Sequence, residues 1–288
     1  MATPAVDAMT TAAQVRRVAG LPGDVPLCVY DLVDGCYGHE VDLRFQPLKS
    51  LEGMYSRASA GRSSIVVSTE RPGGRRRYTC AHELGHHLFG HALSLDELIE
   101  EQRSGQRDPR EHLCDLFAGF LLMPKLGVAL AARERGVDLA APSVEQVYSL
   151  AGYFGVGYAA FLLHASRTLR LVPGSVAESL ARISPQRIRR KILGRDTPGE
   201  LLVVDETWRA SRPADLIVGD HILVPRGTQV EHVGLKAVGA VPDGAIYEAT
   251  SPGLGRADAA SWSVFVRVER ARYKGMARFR NLEECDDE

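Results

Sequence analysis

Residues 75–91 read RRRYTCAHELGHHLFGH, and the fold turns on what His82, Glu83 and His86 are doing together. Apolar residues at Leu84, Leu88 and Phe89 give the stretch from Tyr78 to His91 a helical period. In a helix, positions i and i+4 lie one turn apart on the same side, so His82 and His86 aim at one point. That spacing suits two imidazole nitrogens on one divalent ion at ~2.0–2.1 Å. Glu83 is rotated by roughly 100° from His82. It therefore faces the open side of such an ion, where it can take a proton from bound water. The ordinary alternative for histidines so spaced is a solvated or capping pair. Gly85 weighs against it, because glycine costs ~1 kcal/mol relative to alanine inside a helix. That cost makes sense where another backbone or a bulky side chain comes close. His87 and His91 are also four apart, face elsewhere on the helix, and read as surface or structural residues.

Upstream, PLCVYDL (26–32), VDLRFQPL (41–48) and SSIVVS (63–68) read as short strands rich in β-branched or aromatic residues. Downstream, PREHLCDLFAGFLLMP (109–124) reads as a core helix. Asp108 is its N-cap, Pro109 its first residue and Pro124 its stop. A catalytic metal of this type takes a third protein ligand and keeps one position open. Glu97, Glu100, Glu101, Glu111 and Asp115 are the candidates. Glu111 is placed to reach the ion if this helix crosses the first, with Asp115 one turn on to hydrogen-bond a ligating imidazole. Asp108-Pro109-Arg110-Glu111 fits a capping box equally well, so spacing alone leaves ligand and cap open.

Further out, residues 143–172 read as helix, tight glycine turn, helix, with the spacing of a helix-turn-helix. Pro173-Gly174 breaks that unit, and SPQRIRRKILGR (184–195) is a basic run. From 200 the chain turns strand-rich, with ELLVVDETW, DHILVP, AIYEAT and SWSVFVRVER between Gly, Pro and Asp turns. The expected organisation is 1–140 for the metal-bearing domain, 141–175 for a helical subdomain, 176–199 for a basic linker and 200–288 for a β-rich domain. Trp208 and Trp262 are read as core residues.

The bulk numbers set limits. With 288 residues and 45 % hydrophobic content the chain can bury a substantial core. A net charge of −1 gives no global argument for nucleic acid or an acidic ligand. Five cysteines, an odd count with no CxxC pair, point to free thiols in a reducing compartment. No secretory h-region opens the chain and no run approaches 18 apolar residues, so the expectation is a cytoplasmic protein with no membrane partner.

RRRYTCAHELGHHLFGH followed by EHLCDLFAGFLLMP resembles the ImmA/IrrE metallopeptidases. Their pattern runs roughly R-F-T-x-A-H-E-x-G-H-x-x-x-x-H, then E-x-x-A/C-N/D-x-F-A-x-x-L-L-M-P. SSIVVS is similar to the strand before that family's active-site helix and LEGMYSR (51–57) to the segment before it. The resemblance covers about residues 40–170. Tyr78 stands where phenylalanine is usual and Ser68 where asparagine often ends the strand. The resemblance implies one catalytic zinc ion held by His82, His86 and Glu111, with Glu83 as the catalytic glutamate. It also implies a specific cut in a helix-turn-helix repressor that relieves repression under stress.

The expected fold is α+β: a small zincin-like sheet on the metal-bearing helices, a helix-turn-helix-like subdomain and a β-rich C-terminal domain. SSIVVS is expected to receive the substrate as an added strand. Tyr55, Tyr78 and His112 are candidates for stabilising the oxyanion. Two other functions compete. A DNA-binding regulator would draw on the 143–172 pair and on Arg187, Arg189, Arg190 and Lys191. Against it, the second helix is apolar where a reading helix needs polar side chains. A non-catalytic partner-binding protein on the same fold would have no need of Glu83.

Overall fold

Strands β1 (Val41–Gln46) and β3 (Ser63–Ser68) run parallel at the centre of a four-stranded sheet, Val41 opposite Ser63 and Gln46 opposite Ser68. β2 (Gly53–Ser56) pairs antiparallel with β3 and forms one edge, and Gly275–Met276 pairs antiparallel with β1 at the other. In this computed structural model the described residues are 3–91, 108–231, 234–260 and 262–282. Because β3 is bonded on both sides, it has no edge for another chain. The expectation that SSIVVS receives a substrate strand is therefore corrected: the strand with an outer edge is β2.

Three helices build on this sheet: α3 (Gly73–Leu88) packs on β2 and β3, a helix over 109–122 packs on α3, and α1 (Pro4–Val18) packs on that helix. Between α1 and β1 the chain forms a short helix, α2 (Val29–Leu32), which runs on as a π-helical turn, Val33–Tyr37. The VYDL part of PLCVYDL is thus helical, against the expected strand. Val29, Tyr30, Leu32 and Val33 are all buried, a spacing that fits one helix face as well as a buried strand, and periodicity cannot separate the two over so short a run.

Pro72 starts α3, and the helix ends in a Schellman motif around Gly90, whose φ is +70°. The His91 N–H donates to the His86 carbonyl (3.0 Å) and the Gly90 N–H to the His87 carbonyl (3.2 Å). α4 (Pro109–Leu122) begins at Asp108, whose side chain accepts from the Arg110 N–H, and stops before Pro124. Cys114, Phe117, Ala118, Leu121 and Leu122 are almost wholly buried, as a core helix requires. α4 packs on α1 and α3. A Cβ added at Gly85 would meet Phe117 Cδ1 at 3.1 Å and Cys114 Sγ at 3.2 Å, so glycine there does mark a close helix crossing.

By length and composition the stretch Pro109–Glu134 is long and apolar enough to cross a membrane, its best 18-residue window having a mean hydropathy of 1.7. This revises the expectation that no such run exists. Half of that window is buried within the protein, and the apolarity belongs to the core packing of α4.

The sheet and helices α1–α4 make up one compact unit, residues 1–127 with 274–278; residues 128–273 with 279–288 make up a second. In the second unit, α5 (Lys125–Glu134, shared at its start) precedes α6 (Val144–Tyr153) and α7 (Tyr158–Leu163), which with the turn after it is bent by 100° from α6. Ser143 and Gln146 form a capping box on α6, and Gly155 makes the turn at φ +69°. α8 (Gly174–Ala181) and α9 (Pro185–Leu193) follow.

Among the described residues, the remaining strands form two four-stranded sheets. One joins β4 (Leu201–Val203), β6 (His221–Pro225), β9 (Gly244–Ala249) and β8 (Leu235–Val241). The other joins β5 (Ala214–Ile217), β11 (Trp262–Glu269), β10 (Gly253–Ala259) and β7 (Gln229–Glu231). Trp208 and Trp262 are buried and donate their indole N–H to the carbonyls of Arg212 and Asp205. The protein is α+β, as its patterning indicates.

Candidate metal centre and cleft

α3 supplies His82 and His86 one turn apart, and α4 crosses it at Gly85 with Glu111 in its first turn. His82 Nε2 lies 3.1 Å from His86 Nε2 and 2.9 Å from Glu111 Oε2, and His86 Nε2 lies 3.1 Å from Glu111 Oε1. These three side chains form a near-equilateral triangle. A tetrahedral ion with bonds of ~2.0–2.1 Å has donor–donor edges of about 3.3 Å, so two nitrogens and a carboxylate in this triangle suit a divalent ion. The Asp108 cap is filled by the Arg110 N–H, and the Glu111 carboxylate turns to the imidazoles.

Asp115, one turn along α4, places Oδ1 3.0 Å from His82 Nδ1. It therefore holds the nitrogen that His82 does not turn to Glu111, the usual means of fixing a ligating imidazole. Burial alone would lower the His82 pKa, but the hydrogen bonds to Asp115 and Glu111 outweigh it and raise it. Hydrogen bonds from His82 and His86 hold the Glu111 carboxyl well below the usual carboxylate range.

Glu83 is buried, at 6 % exposure. Burial raises its pKa against the opposing influence of His82 and His86, and the backbone N–H of Tyr55 in β2 donates to its carboxylate. Its Oε2 is buried with no hydrogen-bond partner. A buried carboxylate oxygen left unsatisfied is costly, which marks this atom as one awaiting a partner in the cleft.

The cleft itself has a volume of about 310 Å³ and is lined by β2 and its approach, by Tyr78 and Thr79, and by the triad with Glu83 and Asp115. Gly53 makes it possible for β2 to lie so close: a Cβ there would meet Thr79 Cγ2 at 2.4 Å, the Val66 carbonyl oxygen at 3.0 Å and Glu83 Oε1 at 3.2 Å. LEGMYSR contained that signal, since glycine inside a strand often marks close backbone approach.

Of the three oxyanion candidates, only Tyr78 lines the cleft, with its hydroxyl donating to the Asp115 carbonyl at 2.9 Å. The Tyr55 hydroxyl instead lies 3.1 Å from His87 Nδ1, and His87 Nε2 lies 3.3 Å from Glu40 Oε2. His112 is exposed. His87 is thus a structural tie. His91, expected to face elsewhere with it, packs on His86 with ring centroids 5.2 Å apart. The helix ends at Leu88, so the four-residue spacing of His87 and His91 no longer describes one face. Glu97, Glu100 and Glu101 lie outside the described residues, as does Cys285. Among the described residues, Cys28, Cys36, Cys80 and Cys114 form no disulfide.

Residues 36–166 match the Peptidase_M78 family model, described as the IrrE N-terminal-like domain. The radiation response metalloprotease IrrE of Deinococcus radiodurans is 31 % identical over 117 residues, which are 39 % of this chain. The chain thus spans about a third (32 %) of that relative's length. A transcriptional regulator of Mycobacterium tuberculosis superimposes with a TM-score of 0.38 at 19 % identity, over 58 % of this chain and 49 % of that one. All the side chains of the triad, with Glu83 and Asp115, fall inside the matched segment. Residues 36–166 of this chain are therefore similar in sequence to the IrrE N-terminal-like domain of the Peptidase_M78 family.

Proposed function

We propose that this protein is a zinc-dependent endopeptidase of the cytoplasm that makes a specific cut in a helix-turn-helix transcriptional repressor and so relieves repression under stress. The observation that carries the peptidase reading is the triangle of His82, His86 and Glu111 beside the unsatisfied Oε2 of Glu83. Zinc is the ion best suited to two imidazoles and one carboxylate with an open position. Bound there, it would polarise a peptide carbonyl and acidify water.

The chain's own residues do the rest. Asp115 fixes the His82 ring through Nδ1. Glu83 Oε2 takes the proton of the attacking water and returns it to the leaving amine, while the Tyr55 N–H holds the carboxylate in place. The outer edge of β2 receives the substrate as an added antiparallel strand. The repressor as substrate rests on the motif resemblance, and the stress setting also on the radiation-response relative.

The α6–α7 pair is not proposed as a DNA reader. Tyr158, Phe161 and Leu162 of α7 are buried, and in α9 Arg189 pairs with Glu200, Arg190 with Asp196 and Lys191 with Glu145. The deciding experiment uses purified full-length chain and candidate repressors. Wild type should bind one zinc and cut one bond, and Glu83→Gln should keep the zinc and lose cleavage by at least ~10³-fold. Cleavage by Glu83→Gln at the wild-type rate ends the assignment.

A further inference from the structure

We propose that His91 is the positioning residue for His86, accepting a hydrogen bond from its Nδ1–H and thereby fixing the ring whose Nε2 faces the metal; this rests on the metal reading above. His86 directs Nε2 into the triangle with His82 and Glu111. A ligating imidazole uses the lone pair of one nitrogen, so the other carries the proton and must donate it. His82 meets that requirement through Asp115. The partner for the corresponding nitrogen of His86 is His91: Nδ1 to Nδ1 is 3.2 Å.

The sequence builds this contact with one left-handed glycine. Gly90 reverses the chain in the Schellman motif, and the resulting bond from the His91 N–H to the His86 carbonyl stacks residue 91 over residue 86. That is where a Schellman motif ordinarily makes a hydrophobic contact; here an imidazole occupies the place. His86 is 1 % exposed, so in the intact protein its Nδ1 turns to His91 and not to solvent. Cys114 Sγ, fully buried on α4, lies 3.7 Å from the same His91 nitrogen, and Phe89 packs beside the His91 ring with centroids 5.8 Å apart. These contacts fix the ring with Nδ1 toward His86, which assigns the His91 proton to Nε2.

His86, His91 and Cys114 also lie close enough together to hold an ion of their own. That arrangement would consume the His86 Nδ1 lone pair and abolish the hydrogen bond, so it is the rival reading.

The experiment compares wild-type full-length chain with His91→Ala, which removes the acceptor, and His91→Asn, whose Oδ1 can take the place of Nδ1. Cobalt affinity is measured by chelator competition, and proton NMR of the zinc-loaded protein reads the His86 Nδ1–H. The expected result is one metal equivalent in wild type and a ~10–100-fold loss of affinity in His91→Ala, substantially recovered in His91→Asn. A slowly exchanging imidazole N–H should be present in wild type and His91→Asn and absent in His91→Ala. A destabilised helix end alone would not discriminate between the two variants in that signal. Equal cobalt affinity in wild type and His91→Ala overturns the proposal and leaves the metal centre standing. Two equivalents in wild type, falling to one in Cys114→Ser, overturn it in favour of the rival site. Failure of wild type to bind any ion removes the metal reading itself.

Discussion

Asp115 and His82 face each other across two helices, and what that contact is worth can be measured apart from catalysis. Asp115→Ala takes away the acceptor at His82 Nδ1 while leaving all three proposed ligand atoms in place. Metal affinity should fall by ~10–100-fold. Asp115→Asn keeps an acceptor oxygen and should lose clearly less; equal losses in the two would mean that the carboxylate charge, and not the hydrogen bond, is what matters. The residues that a helix places by its own period, His82, Glu83 and His86, are legible in the sequence because i to i+4 is a local relation. Glu111 is legible only as one of two uses, since cap and ligand share the first turn of α4. The place of His91 is not legible, because it follows from the end of the helix, and four-residue spacing loses its meaning once Gly90 reverses the chain.

At the scale of elements, the site is made by one strand edge lying against one helix. β2 approaches α3 so closely that any side chain at position 53 must displace something. Gly53→Ala would press on the Thr79 methyl, the Val66 carbonyl and Glu83 Oε1 at once, and only by moving β2 outward or turning Glu83 could the clash be relieved. On the proposed peptidase function, the expected outcome is a variant that binds metal as wild type does and loses at least roughly tenfold in kcat, because small displacements of reacting groups are costly. Normal turnover in Gly53→Ala, with metal content unchanged, would show that the β2–Glu83 contact is dispensable. The sequence could place β1 and β3 because their apolar runs are bounded by turns. It could not say which strand was the edge, because edge and centre differ in pairing and not in composition. The same limit explains α2: a short run of buried apolar residues satisfies a helix face and a strand equally.

At the scale of the whole chain, part of the architecture is invisible to any local reading. Gly275–Met276 completes the sheet of the first unit from near the other end of the sequence, and two residues carry no periodicity. β8 is a largely exposed strand and β10 a half-buried one, both with glycine and charged side chains, so their pattern resembles loop. Charge, by contrast, is a global property. Near pH 7 the net charge is −1 and overall repulsion is small, while toward pH 4 protonation makes the chain strongly positive, so the effect of one buried group is best read as a difference between two proteins. Asp220 in the second unit is such a group. Burial pushes its carboxyl up to about 6, against the lowering effect of bonds from the Ile217 and Glu200 N–H groups. A folded pKa above the unfolded value of ~3.9 means that the folded state binds this proton more tightly. The contribution to stability is therefore complete below about pH 4 and is lost as pH rises through about 6. Asp220→Asn cannot ionise, so the stability of wild type relative to Asp220→Asn should fall by about 2–3 kcal/mol between pH 4 and pH 8, each tenfold difference in proton affinity being worth ~1.4 kcal/mol. Taking the difference between the two proteins cancels the other carboxylates, provided they titrate alike in both. Urea unfolding at a series of pH values measures it, and a difference that stays flat or rises with pH would mean that the two backbone N–H groups, and not burial, control this carboxylate.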